Sequence, residues 1–399
     1  MKTTDIIIIL FFLLLNGCKG QKPLTVVSER TNPTQIPEIL LLQNLYEKEN
    51  IVISPISVSS AISMLYLGSS GITQTEMERV FGFDGNTNRF HQTKGNNIRE
   101  IETDNENAVV NIANGLWIER NFDVKQTFIS DLQRYYDANL SEVGFQESME
   151  RHQAKQEINQ WISNETNNKI RNLIPESAIT PLTRLILVNA VYFKAGWKFA
   201  FNPERNTREK FATSAGSSKD VTFMNQKKHL KLIKTGDYKC LELPYDNDQY
   251  SMVFLLPDEL DDMQTIFSAV HSGIADSLIS EEPVYVHLKV PKFKIEYKTL
   301  LNNTLKEMGM TNAFSNDADF QNITGRNDLK LTDIFHGAFI EIDEKGTEAA
   351  GATAAIIGIK SAPMSKPVDF HIDRPFMFMI YDKKVKEILF AGVCTDPAE

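Results

Sequence analysis

The chain has 399 residues, with 42 Lys+Arg against 52 Asp+Glu and a formal net charge of −10. With 42% hydrophobic and 24% charged residues it has the composition of a globular protein, which excludes disorder, collagen and coiled coil as its main state. The acidic balance excludes a protein that neutralises many phosphates, so no nucleic-acid partner is expected.

In chain order the first feature is apolar. Ile6 to Leu15 is an unbroken run of ten such residues, too short to span a bilayer but suited to the core of a signal peptide. Residues 1–17 are read as that peptide and 18–35 as a flexible tether. Two endings fit. Cleavage near Gly17 or Gly20 would release a secreted, extracellular protein. Alternatively, Leu15-Asn16-Gly17-Cys18 resembles the lipobox of bacterial lipoproteins, with Cys18 as the lipidated first residue of a cell-surface protein. No later stretch has 18 consecutive apolar residues, so such an anchor would be the one expected link to a membrane.

Residues 36–399 read as a single α+β domain without fixed-period repeats or a Pro/Ser linker. Pro37–Lys48 is an amphipathic helix and Ile51–Ile53 a short strand. Ser54-Pro55 caps a helix reaching about Leu67, since proline is tolerated in a first helical turn. Phe83–Asn107 is polar and Asn-rich, and reads as a variable surface region. Ala108–Ile118 is a strand, and Val124–Tyr136 and Met149–Thr166 are helices. Leu185–Phe193 (LILVNAVYF) is almost wholly apolar, the pattern of a central strand covered on both faces. Short strands fill Phe211–Leu256, and Asp261–Ile279 is helical. Val284–Tyr297, Lys330–Ile342, Val368–Ile380 and Ile388–Val393 are further strands. Cys240 and Cys394 sit among apolar residues and read as buried thiols rather than one disulfide.

Nothing supports an enzyme. No GxSxG, HExxH, GxGxxG or GxxxxGK[ST] occurs. The seven histidines, at 91, 152, 229, 271, 287, 336 and 371, are scattered, and none pairs with Cys or His at metal spacing. No cofactor and no metal are expected. Lys227, Lys228, His229, Lys231 and Lys234 read as a solvated strand face.

The informative segment is Glu344–Ser365, EKGTEAAGATAAIIGIKSAPMS, between two strong strand patterns. A connection of this length inside a compact domain is usually functional. Read with period two, one face holds Thr347, Ala349, Gly351, Thr353, Ala355, Ile357 and Ile359. No proline occurs between Gly346 and Lys360. The segment is chemically able to become a strand in the middle of a sheet, where prolines and buried charges are excluded. An Ala-rich helix is the competing reading, weakened by Gly346, Gly351 and Gly358.

The sequence resembles the serpins, the serine protease inhibitor superfamily, over nearly all of Ile36 to Val393. The hinge Glu344-Lys345-Gly346-Thr347-Glu348-Ala349-Ala350-Gly351-Ala352-Thr353 is the most specific match. Asn50–Ser57 (NIVISPIS) resembles the family's shutter segment and Asn189–Trp197 (NAVYFKAGW) its breach strand. Asp319–Ile323 and Arg374–Phe378 match further motifs.

That resemblance implies three β-sheets, about nine helices and an exposed reactive-centre loop at about 344–367. It implies a suicide substrate, in which a protease acylates itself on the loop and the freed hinge inserts as a new central strand. The specificity residue lies fourteen positions after the hinge glycine, which gives Lys360, with Ser361 on the leaving side. A lysine there suits a trypsin-like protease. Met364–Ser365, four residues later, is the competing bond, and Ile357, Ile359 or Ser361 would serve elastase- or subtilisin-like proteases. Ser54, Ser57, Asn189 and His336 match the shutter, Trp197 the breach, and Glu344 with Lys292 a salt bridge at the top of the sheet. A non-inhibitory carrier or chaperone, or an inhibitor of cysteine proteases, are the rival functions. After Phe83 only Arg89, Lys94 and Arg99 are basic, so no strong polyanion site is expected, and the protein is expected to be a monomer.

Overall fold

A strand with apolar residues at odd and even positions alike has to lie between two covered faces, and Leu185–Phe193 sets that requirement. The computed structural model, which describes residues 35–104, 108–175, 177–348 and 366–398, places it inside the largest sheet. The segments that bear on function are, in chain order, helix α1 (Pro55–Gly68), strand β1 (Ala108–Glu119), helix α2 (Ser148–Glu165), and strands β2 (Leu185–Gly196), β3 (Thr207–Ala212), β4 (Ser218–Leu230), β5 (Val284–Pro291), β6 (Phe293–Leu300), β7 (Asp333–Ile342), β8 (Gly346–Thr347) and β9 (Val368–His371).

Among the described residues, ten α-helices and three sheets form an α+β fold. The seven-stranded sheet runs β6–β7–β8–β2–β1 and then Thr103–Asp104, with Asn139–Val143 parallel on β1. Its two faces bury different residues of β2. Leu185, Leu187, Val191 and Phe193 join the large core shared with α1 and the six-stranded sheet. Ile186, Val188 and Ala190 join a second core with Ile158 and Ile162 of α2 and with Phe335 and Phe339 of β7. The four-stranded sheet runs β9–β5–β4–β3, with β9 at its edge.

Helix α1 is buried over all but Leu67. Ser54 caps it, its hydroxyl accepting from the Ser57 N–H at 3.3 Å.

The structure corrects four expectations. The polar region after Phe83 contains a helix, Asn88–Ile101, with His91, Gly95, Ile98 and Ile101 buried. That stripe recurs every three or four residues, but it is thin and rests partly on a glycine. Gly95 is needed there because a Cβ would lie 1.7 Å from the Tyr135 carbonyl oxygen. Asp261–Ile279 is two helices, divided at Gly273, whose φ of 78° ends the first. Val284–Tyr297 is two strands, β5 and β6, which part after Pro291 and enter different sheets. Val368–Ile380 likewise divides into β9 and Phe376–Asp382 around Pro375. Proline cannot continue a ladder, and here it marks where the chain changes sheets.

Candidate functional site: the mouth of the main sheet

β7 and β2 pair directly, in parallel, from Asp333↔Ile186 to Gly337↔Ala190. Beyond those rows β8 lies between them. Thr347 pairs with Ile342 on one side and Ala195 on the other, and Gly346 pairs with Gly196. The sheet is therefore zipped at one end and wedged open at the other by two residues of the connection that follows β7.

Glycine is required at the wedge. A Cβ on Gly346 would fall 2.1 Å from the Ala195 carbonyl oxygen and 2.8 Å from the Gly196 Cα. Trp197 holds the incoming turn. Its indole N–H donates to the Asp343 carbonyl at 2.8 Å, and its backbone N–H donates to the Lys345 carbonyl at 2.8 Å. The ring stacks on Tyr245 at 4.6 Å between centroids and 16° between planes. The Tyr245 hydroxyl in turn bonds the buried Thr347 hydroxyl at 2.6 Å. Burial holds that phenol above its usual range, so it stays protonated.

Glu344 and Lys292 meet at 3.0 Å. The Asn206 amide also donates to Glu344, at 2.5 Å. Burial pushes the carboxyl up, but the bonds from Asn206, its own backbone N–H and Lys292 outweigh it and hold it below the usual range. Glu348 directly follows β8. Its φ of 53° is uncommon for a residue with a side chain and costs on the order of 1–3 kcal/mol. Its N–H donates to the Glu341 carbonyl at 3.2 Å, and its carboxylate lies 3.1 Å from Lys169. Burial pushes that carboxyl upward, against the opposing pull of Lys169. Lys169 also covers the Phe339 ring, 5.0 Å from its centroid. Ala349, Ala350, Gly351, Ala352, Thr353, Lys360 and Ser361 lie outside the described residues.

Within the zipped rows a polar line crosses three strands. Asn114 of β1 faces Asn189 of β2, which faces His336 of β7. The Ser54 backbone N–H donates to His336 Nε2 at 3.2 Å. The ring's remaining proton is therefore on Nδ1, and it goes to Asn189 Oδ1 at 2.6 Å. Burial lowers the His336 pKa to about 3, so the ring is neutral at pH 7. The Asn189 amide donates to Ser57 Oγ and, at 2.6 Å, to Asn114 Oδ1. Asn114 donates to Ser60 Oγ at 2.9 Å. Each buried polar atom along this line is thereby satisfied, and the line ties α1 to the sheet. A strand entering between β2 and β7 would double their separation from about 4.8 Å, so the Asn189–His336 bond must break first.

Sequence reasoning missed Asn114, Ser60, Tyr245, Lys169 and Asn206. Asn114 carried a signal, as a polar residue inside an apolar strand run. The other four are brought in by tertiary contacts alone.

Comparison with known proteins agrees with this architecture. Residues 39–397 match the family model described as Serpin (serine protease inhibitor). Human Serpin B3 is 34% identical over 371 residues, covering 88% of this chain and 94% of that protein. The leukocyte elastase inhibitor of Xenopus laevis is 35% identical over 356 residues, covering 87% and 93%. An uncharacterized serpin-like protein of Methanosarcina acetivorans is 34% identical over 355 residues, covering 88% and 82%. Among solved structures, Arabidopsis AtSerpin1 in its native stressed conformation has a TM-score of 0.82 at 28% identity, covering 91% of this chain and 96% of that one. Human thyroxine-binding globulin complexed with thyroxine has a TM-score of 0.82 at 28% identity, covering 92% and 98%. With sequence and fold matched over nearly the whole length, the chain belongs to the serpin family.

Proposed function

We propose that the chain inhibits serine endopeptidases as an irreversible suicide substrate, with Lys360–Ser361 as the reactive bond and trypsin-like proteases as targets. The observation that carries this reading is β8, seated between β7 and β2 at the open end of the sheet. Beyond Glu348 the sequence runs from Ala349 to Ile359 without a charge or a proline, so the same strand can be extended.

The target's own serine attacks the Lys360 carbonyl, the Lys360–Ser361 bond breaks, and the Ser361 amine leaves. The protease stays esterified to Lys360. The freed segment then adds residue by residue after Thr347, parting β2 from β7. The twelve residues from Glu348 to Ile359, at about 3.3 Å each, carry the bound protease roughly 40 Å along the sheet. The serpin supplies the substrate and the movement, and no nucleophile or cofactor of its own. The shared fold does not by itself carry inhibition, since a thyroxine-binding globulin has it too. The small, uncharged run after Glu348 is what favours the inhibitor over a non-inhibitory carrier. The apolar run Ile6–Leu15 stands ahead of the matched region, which begins at residue 39. It supports secretion, or anchoring through Cys18, as part of the same reading.

Incubation with trypsin tests it. The expected result is a complex that survives boiling in SDS, with intact-mass analysis placing the cut after Lys360. Clean cleavage without a complex would favour a non-inhibitory member. Several relatives are elastase inhibitors by name; a complex formed with elastase and cut after Ile357 or Ile359 would move the reactive bond.

A further inference from the structure

Spacing along the chain gave no histidine a metal-binding partner, but the fold assembles one such group. His287 of β5 lies directly opposite Asp369 of β9 in the parallel register. His371 is two residues beyond Asp369 and so projects on the same face. The three donor atoms form a triangle. His287 Nδ1 is 3.2 Å from Asp369 Oδ1, His371 Nε2 is 3.3 Å from His287 Nδ1, and His371 Nε2 is 3.5 Å from Asp369 Oδ1.

We propose that His287, Asp369 and His371 form a binding site for one Zn²⁺ ion. Zinc–nitrogen and zinc–oxygen bonds of about 2.0–2.1 Å around a tetrahedral centre put neighbouring donors about 3.3 Å apart. The observed edges are those of one tetrahedral face, so an ion can bind all three atoms with little movement. β9 is the edge strand and Asp369 is exposed, which leaves the fourth position open to water. Two imidazoles and one carboxylate suit zinc and its transition-metal neighbours, whereas calcium and magnesium prefer oxygen donors throughout.

The electrostatic surroundings allow a cation. Two lysines share this face: Lys289 of β5, whose ammonium is bound by Glu209 of β3 at 2.6 Å, and Lys227 of β4, which lies opposite His287 in the antiparallel register and is exposed to solvent. In the absence of an ion, the same triangle is a hydrogen-bonded group in which ring protons face the carboxylate.

β9 directly follows the loop, so a bound ion would staple the loop's C-terminal foot to β5. Insertion after the cut leaves β9 in place, but insertion of the same segment without a cut would require β9 to peel away, and the ion would oppose it. That consequence rests on the inhibitor reading; the binding itself does not.

The test is calorimetric titration of chelator-treated full-length protein with ZnCl₂. The expected result is one ion per chain and a melting temperature that rises with zinc concentration. His287→Ala, His371→Ala and Asp369→Asn should each weaken binding by about tenfold or more and abolish the zinc-dependent rise in melting temperature, measured against each variant's own zinc-free value. Co²⁺ in place of zinc should give the visible absorption of a tetrahedral site, and Ca²⁺ should not compete. No binding, or binding that the three substitutions leave unchanged, would overturn the site.

Discussion

Cutting the loop after Lys360 should raise the melting temperature of the chain by roughly 20 °C. Among the described residues of the intact protein, Gly346 and Thr347 are the ones paired between β7 and β2. After the cut, nothing ties the segment to β9, and the rest of Gly346–Ile359 can follow. Each added residue places its N–H and C=O in a two-sided ladder, and alternate side chains enter the two cores. Bonds of about 1 kcal/mol each, reduced by the cost of ordering the inserted residues, leave a gain on the order of 10 kcal/mol. At about 2 °C per kcal/mol for a large domain, this gives the stated rise. Relief of the left-handed turn at Glu348 adds to it. Thermal melts of intact and cleaved protein read the difference. Equal melting temperatures would mean that the native sheet stores no free energy.

The second large effect belongs to Thr347→Arg. Thr347 is 1% exposed and its hydroxyl is bonded to Tyr245. A guanidinium cannot occupy that position without an acceptor, and burying it unpaired costs about 3 kcal/mol or more. The acyl-enzyme has two fates: insertion, which traps the protease, and hydrolysis, which releases it. The arginine is expected to keep β8 out of the sheet before the cut, so that the cost falls on insertion, and a barrier raised by that amount slows trapping about 100-fold. The variant should therefore be cleaved by trypsin at the normal rate while forming almost no stable complex. Thr347→Ser, which keeps the hydroxyl, should still inhibit. Undiminished complex formation by the arginine variant would separate trapping from insertion.

The parts of this account legible in the sequence were those set by periodicity. The unbroken apolar run at Leu185–Phe193 required a two-faced central strand, and β2 is one. The alternating small residues after Gly346 marked a potential strand; of them Gly346 and Thr347 form β8, and Ala349 to Ile359 lie outside the described residues. Motif resemblance singled out His336, Asn189 and Ser57, which the fold joins into one line of hydrogen bonds.

What stayed hidden depended on contacts between distant elements. No local pattern marks Tyr245 as the partner of Thr347, since 102 residues separate them. The Asn88–Ile101 helix was obscured because its buried stripe includes a glycine and a histidine. The His287–Asp369–His371 triangle arises only when β9 settles beside β5. Strand ends were blurred where Pro291 and Pro375 carry the chain from one sheet to another, because the apolar pattern continues across both.

Once the loop is cut, the segment after Thr347 is expected to lie between β2 and β7. A crystal structure of the trypsin-cleaved protein tests it most directly. The account predicts a continuous strand from Gly346 to about Ile359, with Asn189 and His336 no longer bonded to each other. A cleaved chain that still shows β2 and β7 paired from Asp333↔Ile186 to Gly337↔Ala190, with the cut segment outside the sheet, would contradict it.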